Sequence, residues 1–159
     1  MTTDTLQGIT YQRLAEQGIV LPASPAPIAN FSSHVIVGNL LFLSGQGPVE
    51  ADNRKHQGKV GRDVSVEEAY QHARLTGINL LAVMHEALGD LGRVKQVVKL
   101  LGMVNADSEF AEHPKVINGC SDLLVSVFGQ QGIHARSAVG FSSLPAQITV
   151  EIEAIVAFE

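Results

Sequence analysis

At 159 residues, 45% of them apolar and none tryptophan, the chain can bury one aliphatic core without staples and is too short for two comfortable domains, so a single domain over 1–159 is expected. Sixteen acidic residues against eleven basic ones give a formal net charge of −5; with no long basic run, that leaves no electrostatic footprint for nucleic acid. The lone cysteine, Cys120, excludes an intrachain disulfide and a cysteine-based metal site, and no signal-peptide pattern or membrane-length apolar run occurs, so a reduced, cytoplasmic setting with no membrane partner is expected.

In chain order, Thr5 to Gln17 carries Leu6, Ile9 and Leu14 at helical spacing and meets a glycine stop at Gly18, which predicts a short leading helix. The stretch "LPASPAPIANFSS" is rich in proline and small residues and suits an extended arm over the surface. "HVIVGNLLFLSGQGPV" then reads as a β-hairpin turning at Gly38-Asn39, where positive φ is tolerated.

From Asp63 the apolar period becomes three and four, through Val66, Ala69, Ala73, Leu80, Leu81, Met84 and Leu88. This predicts a long helix whose start is signed by Ser65 and Glu68 at capping-box spacing and whose end falls at Gly89 or Gly92. "VKQVVKLLGMV" reads as a strand, and Val116, Ile117, Cys120, Leu123, Leu124, Val127 and Phe128 after Pro114 predict a second core helix ending near Gly129. Two strands, about Ser137 to Ser143 and Gln147 to Phe158, close the chain. The fold class is therefore α+β: a β-β-α-β-α-β-β order with both helices on one face of a single sheet.

In the closing strand, period two puts Val150, Ile152, Ala154, Val156 and Phe158 on one face and Thr149, Glu151 and Glu153 on the other. The uncovered sheet face, expected to carry Leu41, Leu43, Leu100 and Ile155, is too apolar to stay bare, so self-association is expected. The six histidines show no H-x-x-x-H or H-x-H spacing, which gives no metal site by motif. "LSGQGPV" lacks the lysine of a phosphate loop, and Cys120, on the apolar stripe of the second helix, reads as a buried structural thiol.

The order of elements, together with "GNLLFLSGQGPV", "INGCSDLL" and "ARSAVGFSSLPAQITVEIEAI", resembles the Rid family, the reactive-intermediate deaminases once labelled endoribonuclease L-PSP. The resemblance covers about residues 25–158 and leaves 1–24 as an N-terminal helix and arm, an addition found in one branch of the family. It implies a chorismate-mutase-like mixed sheet and a homotrimer with sites at the clefts between subunits. It also implies hydrolysis of small 2-imino acids to 2-keto acids and ammonia, without metal or organic cofactor.

By the same resemblance Arg136 binds the substrate carboxylate and Glu151 holds the attacking water. Ser44 and Gly45 match the family's strand-end pair and Asn118 its helix asparagine. The chemistry agrees, because a planar guanidinium grips a carboxylate through two parallel hydrogen bonds, and a positioned water beside a carboxylate is sufficient for a protonated imine.

Two positions depart from the family's pattern: Ala138 stands where a cysteine is common, and Phe31 where a tyrosine is. A less polar, roomier pocket follows, and with it an alternative function: a non-catalytic protein holding a small 2-imino or 2-keto carboxylate. The plain alternative for Arg136 is an interface salt bridge to Glu151 or Glu153 of a neighbour. Ribonuclease action, implied only by the older label, runs against the acidic charge.

Overall fold

The computed structural model describes residues 3–24, 26 and 30–159. It contains helix α1 (Thr3–Glu16), strands β1 (His34–Val37) and β2 (Leu40–Gln46), helix α2 (Val66–Leu88), strand β3 (Val94–Asn105), helix α3 (His113–Phe128), and strands β4 (Ala135–Phe141) and β5 (Val150–Phe158). The expected arm falls partly on Pro25 and residues 27–29, which lie outside the described residues.

The expected punctuation is in place. Gly18 has φ +67 just after α1, and Gly38 has φ +59 in the turn that pairs Val37 with Leu40. Ser65 caps α2 by accepting the Glu68 backbone N–H at 3.1 Å, and Gly89 ends it with φ 76. The helix starts at Val66, the first residue of its apolar pattern, directly after the Ser65 cap.

The five strands form one mixed sheet in the order β1-β2-β5-β3-β4, with only the β3–β4 pair parallel. Helices α2 and α3 cover one face, α2 over β5 and β2 and α3 over β3 and β4. Leu80, Leu81 and Met84 of α2 and Ile117 and Leu124 of α3 meet Leu41, Leu100, Ile152 and Val156 of the sheet, all fully buried. The helices approach closely because Gly119 presents no side chain: a Cβ there would lie 2.0 Å from the Tyr70 carbonyl oxygen.

The expectation that Leu41, Leu43 and Leu100 line the uncovered face is overturned. All three are buried on the helix side, since Leu41 pairs with Val156, and Leu43 and Leu100 both pair with Ala154. Strand pleating puts directly paired residues on the same side of the sheet. Ile155 does lie on the open face, paired with Phe42 and Lys99.

Two boundaries also shift. Strand β4 starts at Ala135, two residues early, which brings Arg136 into the strand. Strand β5 starts at Val150, because Pro145–Gln147 forms a 3-10 turn in which Ala146 and Gln147 both have φ +54. Thr149, expected on the outer face, precedes the strand and is buried, its Oγ1 bonded to His72 Nδ1 at 2.9 Å.

Helix α1 clasps the far ends of the other two. Tyr11 Oη accepts the Leu91 N–H at 2.9 Å and bonds His85 Nδ1 at 2.7 Å. Arg13 donates to the Val127 carbonyl at 3.1 Å, a cation at the negative end of α3.

Candidate functional site

The first group of site residues lies on the open sheet face. Between Leu43↔Ala154 and Gln46↔Ile152, β2 spends one residue more than β5, a bulge that falls on Ser44-Gly45. The bulge is pinned to the preceding segment: the Ser44 hydroxyl donates to the Ser32 carbonyl at 2.7 Å, and the Ser44 N–H to the Ser33 carbonyl at 3.0 Å.

Opposite the bulge stands Glu151, half-buried. A Cβ at Gly45 would lie 2.9 Å from its Oε2, so glycine leaves the room the carboxylate occupies. Burial raises the Glu151 pKa, and the like charge of Glu153 raises it further. Phe31, next to Ser32, is 52% exposed. On the same face a groove of about 320 Å³ is lined by Phe42, Leu101 and Ile155, with Lys99, Ser137 and Glu153 at its polar positions.

The second group lies on the helix side of the sheet's edge. Arg136 pairs with Leu100 on β3 and so points toward α3, where its Nη1 donates to Ser121 Oγ at 3.0 Å and its Nη2 reaches the Pro114 carbonyl at 3.4 Å. Pro114, Asn118 and Ser121 are four and three residues apart, one stripe of the helix, which places Asn118 beside the guanidinium. Ala138 follows on the same side of β4, packed against the core. Cys120 is fully buried and pushed up to about 12 by desolvation, a structural thiol as expected.

The structure thus brings Ser44 and Gly45 to Glu151, leaves Phe31 exposed beside the Ser32 that Ser44 holds, and sets Asn118 and Ala138 on the side of Arg136. It does not bring the two groups together within one chain. Glu151 on β5 and Arg136 on β4 are two strand spacings apart, roughly 10 Å, their partners Met103 and Leu100 lie three residues apart along β3, roughly a further 10 Å, and the thickness of the sheet separates the two side chains.

Residues the sequence reading missed complete the second group. His134 Nε2 lies 2.9 Å from Ser121 Oγ and His134 Nδ1 lies 2.7 Å from the Gly132 carbonyl. The one sequence signal was the placement of His134 two residues before Arg136 on the approach to an edge strand.

A separate polar cluster joins the loop before α2 to the start of β5: His56 stacks on His72 with ring centroids 4.3 Å apart, and His56 Nε2 meets Glu50 Oε1 at 2.9 Å. Burial lowers the His72 pKa, and His56 lowers it further. Among the described residues no group of three or more His, Cys, Asp or Glu is arranged to hold a metal ion, and no helix is long and apolar enough to cross a membrane.

A single mixed sheet backed by two helices, with a tuned carboxylate on one face and a tethered arginine at the edge of the other, defines an α+β protein of the chorismate-mutase-like class. The chain belongs to the family described as "YjgF/chorismate_mutase-like, putative endoribonuclease", whose model matches residues 11–152. It is 44% identical over 144 residues to Protein TCP17 of Trypanosoma cruzi, covering 90% of each chain. It is 32% identical over 146 residues to a 2-iminobutanoate/2-iminopropanoate deaminase of Dermatophagoides farinae, covering 89% of this chain and 95% of that one.

Among solved structures, Atu1372 from Agrobacterium tumefaciens, a protein described as having unknown function, superposes with a TM-score of 0.90 at 43% identity. It covers 98% of this chain and 97% of its own. That coverage leaves no room to omit the 14 residues of α1, which supports a divergent branch marked by its leading helix.

Proposed function

We propose that this chain is an imine deaminase that hydrolyses small 2-imino acids to 2-keto acids and ammonia, in clefts completed between copies of a homotrimer. The observation that carries the reading is a half-buried, pKa-raised Glu151 on one sheet face and, on the other, a half-buried Arg136 whose fork is aimed from an edge strand. The two are separated by the sheet within one chain, so a neighbouring copy supplies the partner group. The 32% identity to the mite deaminase supports the same chemistry.

In the proposed reaction the guanidinium of Arg136 binds the substrate carboxylate bidentately and fixes the imine carbon. Glu151 takes a proton from a bound water as its oxygen bonds to that carbon, and the C=N π electrons move to nitrogen. With the imine protonated at the outset, Glu151 then returns the proton to the amine nitrogen and takes up the hydroxyl proton as the C–N bond breaks and the carbonyl forms, so that ammonia leaves and Glu151 afterwards releases its proton to solvent. A carboxyl raised toward neutrality serves both steps, as base and then as acid. Asn118, Ser44 and Gly45 shape the cleft, and Ala138 and Phe31 leave it less polar, which favours substrates with apolar side chains.

The test is a coupled assay in which an amino-acid oxidase generates 2-iminopropanoate and bulkier imino acids while loss of the imine is followed. The wild type is expected to accelerate hydrolysis, and Arg136→Ala to abolish the acceleration while the fold stays intact. Equal rates for the two proteins would overturn the proposal. Carboxylate binding by a folded protein without acceleration of any imine would assign a binding role instead.

A further inference from the structure

Arg136 projects from an edge strand and is only half-buried, so its guanidinium needs an external frame to hold one orientation. That frame is a directional chain of hydrogen bonds. The Gly132 carbonyl can only accept, so His134 Nδ1, 2.7 Å away, carries the ring proton. In the neutral ring Nε2 is then a bare lone pair, which accepts the Ser121 hydroxyl proton at 2.9 Å. With its proton committed, Ser121 Oγ presents its lone pairs to Arg136 Nη1 at 3.0 Å.

The chain ends on a rigid anchor. Gly132 is buried against α3, and a Cβ there would lie 2.3 Å from the Leu124 carbonyl oxygen. Backbone of α3 therefore fixes Gly132, Gly132 fixes the tautomer and plane of His134, and His134 fixes the Ser121 hydroxyl. With Nη2 also reaching the Pro114 carbonyl at 3.4 Å, the N–H donors that neither Ser121 nor Pro114 takes are left for a ligand. Because Arg136 already draws on the Ser121 lone pair, Oγ is blunted as a nucleophile, and the Ser121–His134 pair serves the arginine.

We infer that Ser121 and His134 are positioning residues that pre-orient Arg136 for a substrate carboxylate, an inference that rests on the carboxylate-binding reading of Arg136. Its signature is selective: losing the frame weakens a ligand in proportion to its need for the bidentate fork and spares a neutral ligand of the same shape.

The experiment is calorimetric titration of pyruvate and of pyruvamide, its neutral amide, into wild type, Ser121→Ala, Ser121→Thr, His134→Phe and Arg136→Ala, with melting temperatures taken alongside. Ser121→Ala and His134→Phe are expected to weaken pyruvate roughly tenfold and leave pyruvamide unchanged, while Ser121→Thr, which keeps the hydroxyl, restores the wild-type affinity. If Ser121→Ala does not fold, His134→Phe carries the same expectation. Folded frame variants that bind pyruvate as the wild type does, or lose both ligands equally, would overturn the inference and, with pyruvate binding lost in Arg136→Ala, leave the carboxylate-binding reading standing. Wild-type pyruvate binding by Arg136→Ala would overturn that reading and the inference with it.

Discussion

The two halves of the candidate site are held by opposite means. Glu151 is set by space: burial and the charge of Glu153 raise its pKa, and the missing Cβ of Gly45 makes its room. Arg136 is set by directional bonds, through Ser121 and His134 to backbone packed on α3. The difference matches the tasks proposed for the two residues. A group that must gain and lose a proton is better tuned by its surroundings than locked in bonds that favour one state. A group that must only recognise a planar anion benefits from being fixed in advance.

The largest expected effect breaks the carboxylate half alone. Glu151→Gln keeps shape and removes the proton acceptor, so turnover should fall by about 10² to 10⁴-fold with pyruvate binding retained; a stopped-flow imine assay with an unchanged rate would contradict it. On the arginine side, Gly132→Ala drives a Cβ into backbone. It should cost about 3 kcal/mol of stability, read as a lowered urea midpoint. Gly45→Ala sharpens the contrast, because its Cβ meets only the movable end of Glu151. Stability should change by less than about 1 kcal/mol, while turnover drops more than binding does.

The smallest effects are in pH dependence. Glu153→Gln removes the second cause of the raised Glu151 pKa and leaves the first, burial, so the acid limb of the rate profile should move to lower pH by a small step. Glu151 itself, raised above 4.5, contributes stability that is fully present below that value and is lost as pH rises through its folded pKa. His72 has the opposite sign. Lowered from 6.5, it contributes stability that is present above 6.5 and is lost as pH falls through its folded value. His72→Asn should therefore flatten the fall in melting temperature below pH 6.5, and an unchanged slope would contradict the assignment.

Much of this architecture was legible in the residues. Ser65, Gly89, Gly38 and the apolar stripes of α2 and α3 carry their structural meaning locally, and the glutamates of β5 reveal its two faces. The run "LLFLS" in β2 is apolar on both faces, so alternation could not say which face the helices cover, and Leu41 and Leu43 were misplaced for that reason. The consecutive positive φ values at Ala146 and Gln147 are unreadable because neither residue type signals them. Ser121 and His134 are 13 positions apart and meet only once α3 has packed on β4. The division of Glu151 from Arg136 depends on strand order, which no local pattern encodes.

The central claim, that a cleft takes its arginine and its glutamate from different copies, is tested most directly by mixing. Arg136→Ala and Glu151→Gln, each expected to be inactive alone, are unfolded together and refolded as one population. A shared cleft predicts recovery of about a quarter of the wild-type rate for random assembly, since some clefts then pair an intact arginine with an intact glutamate. A mixed population that forms oligomers and stays inactive would contradict the account.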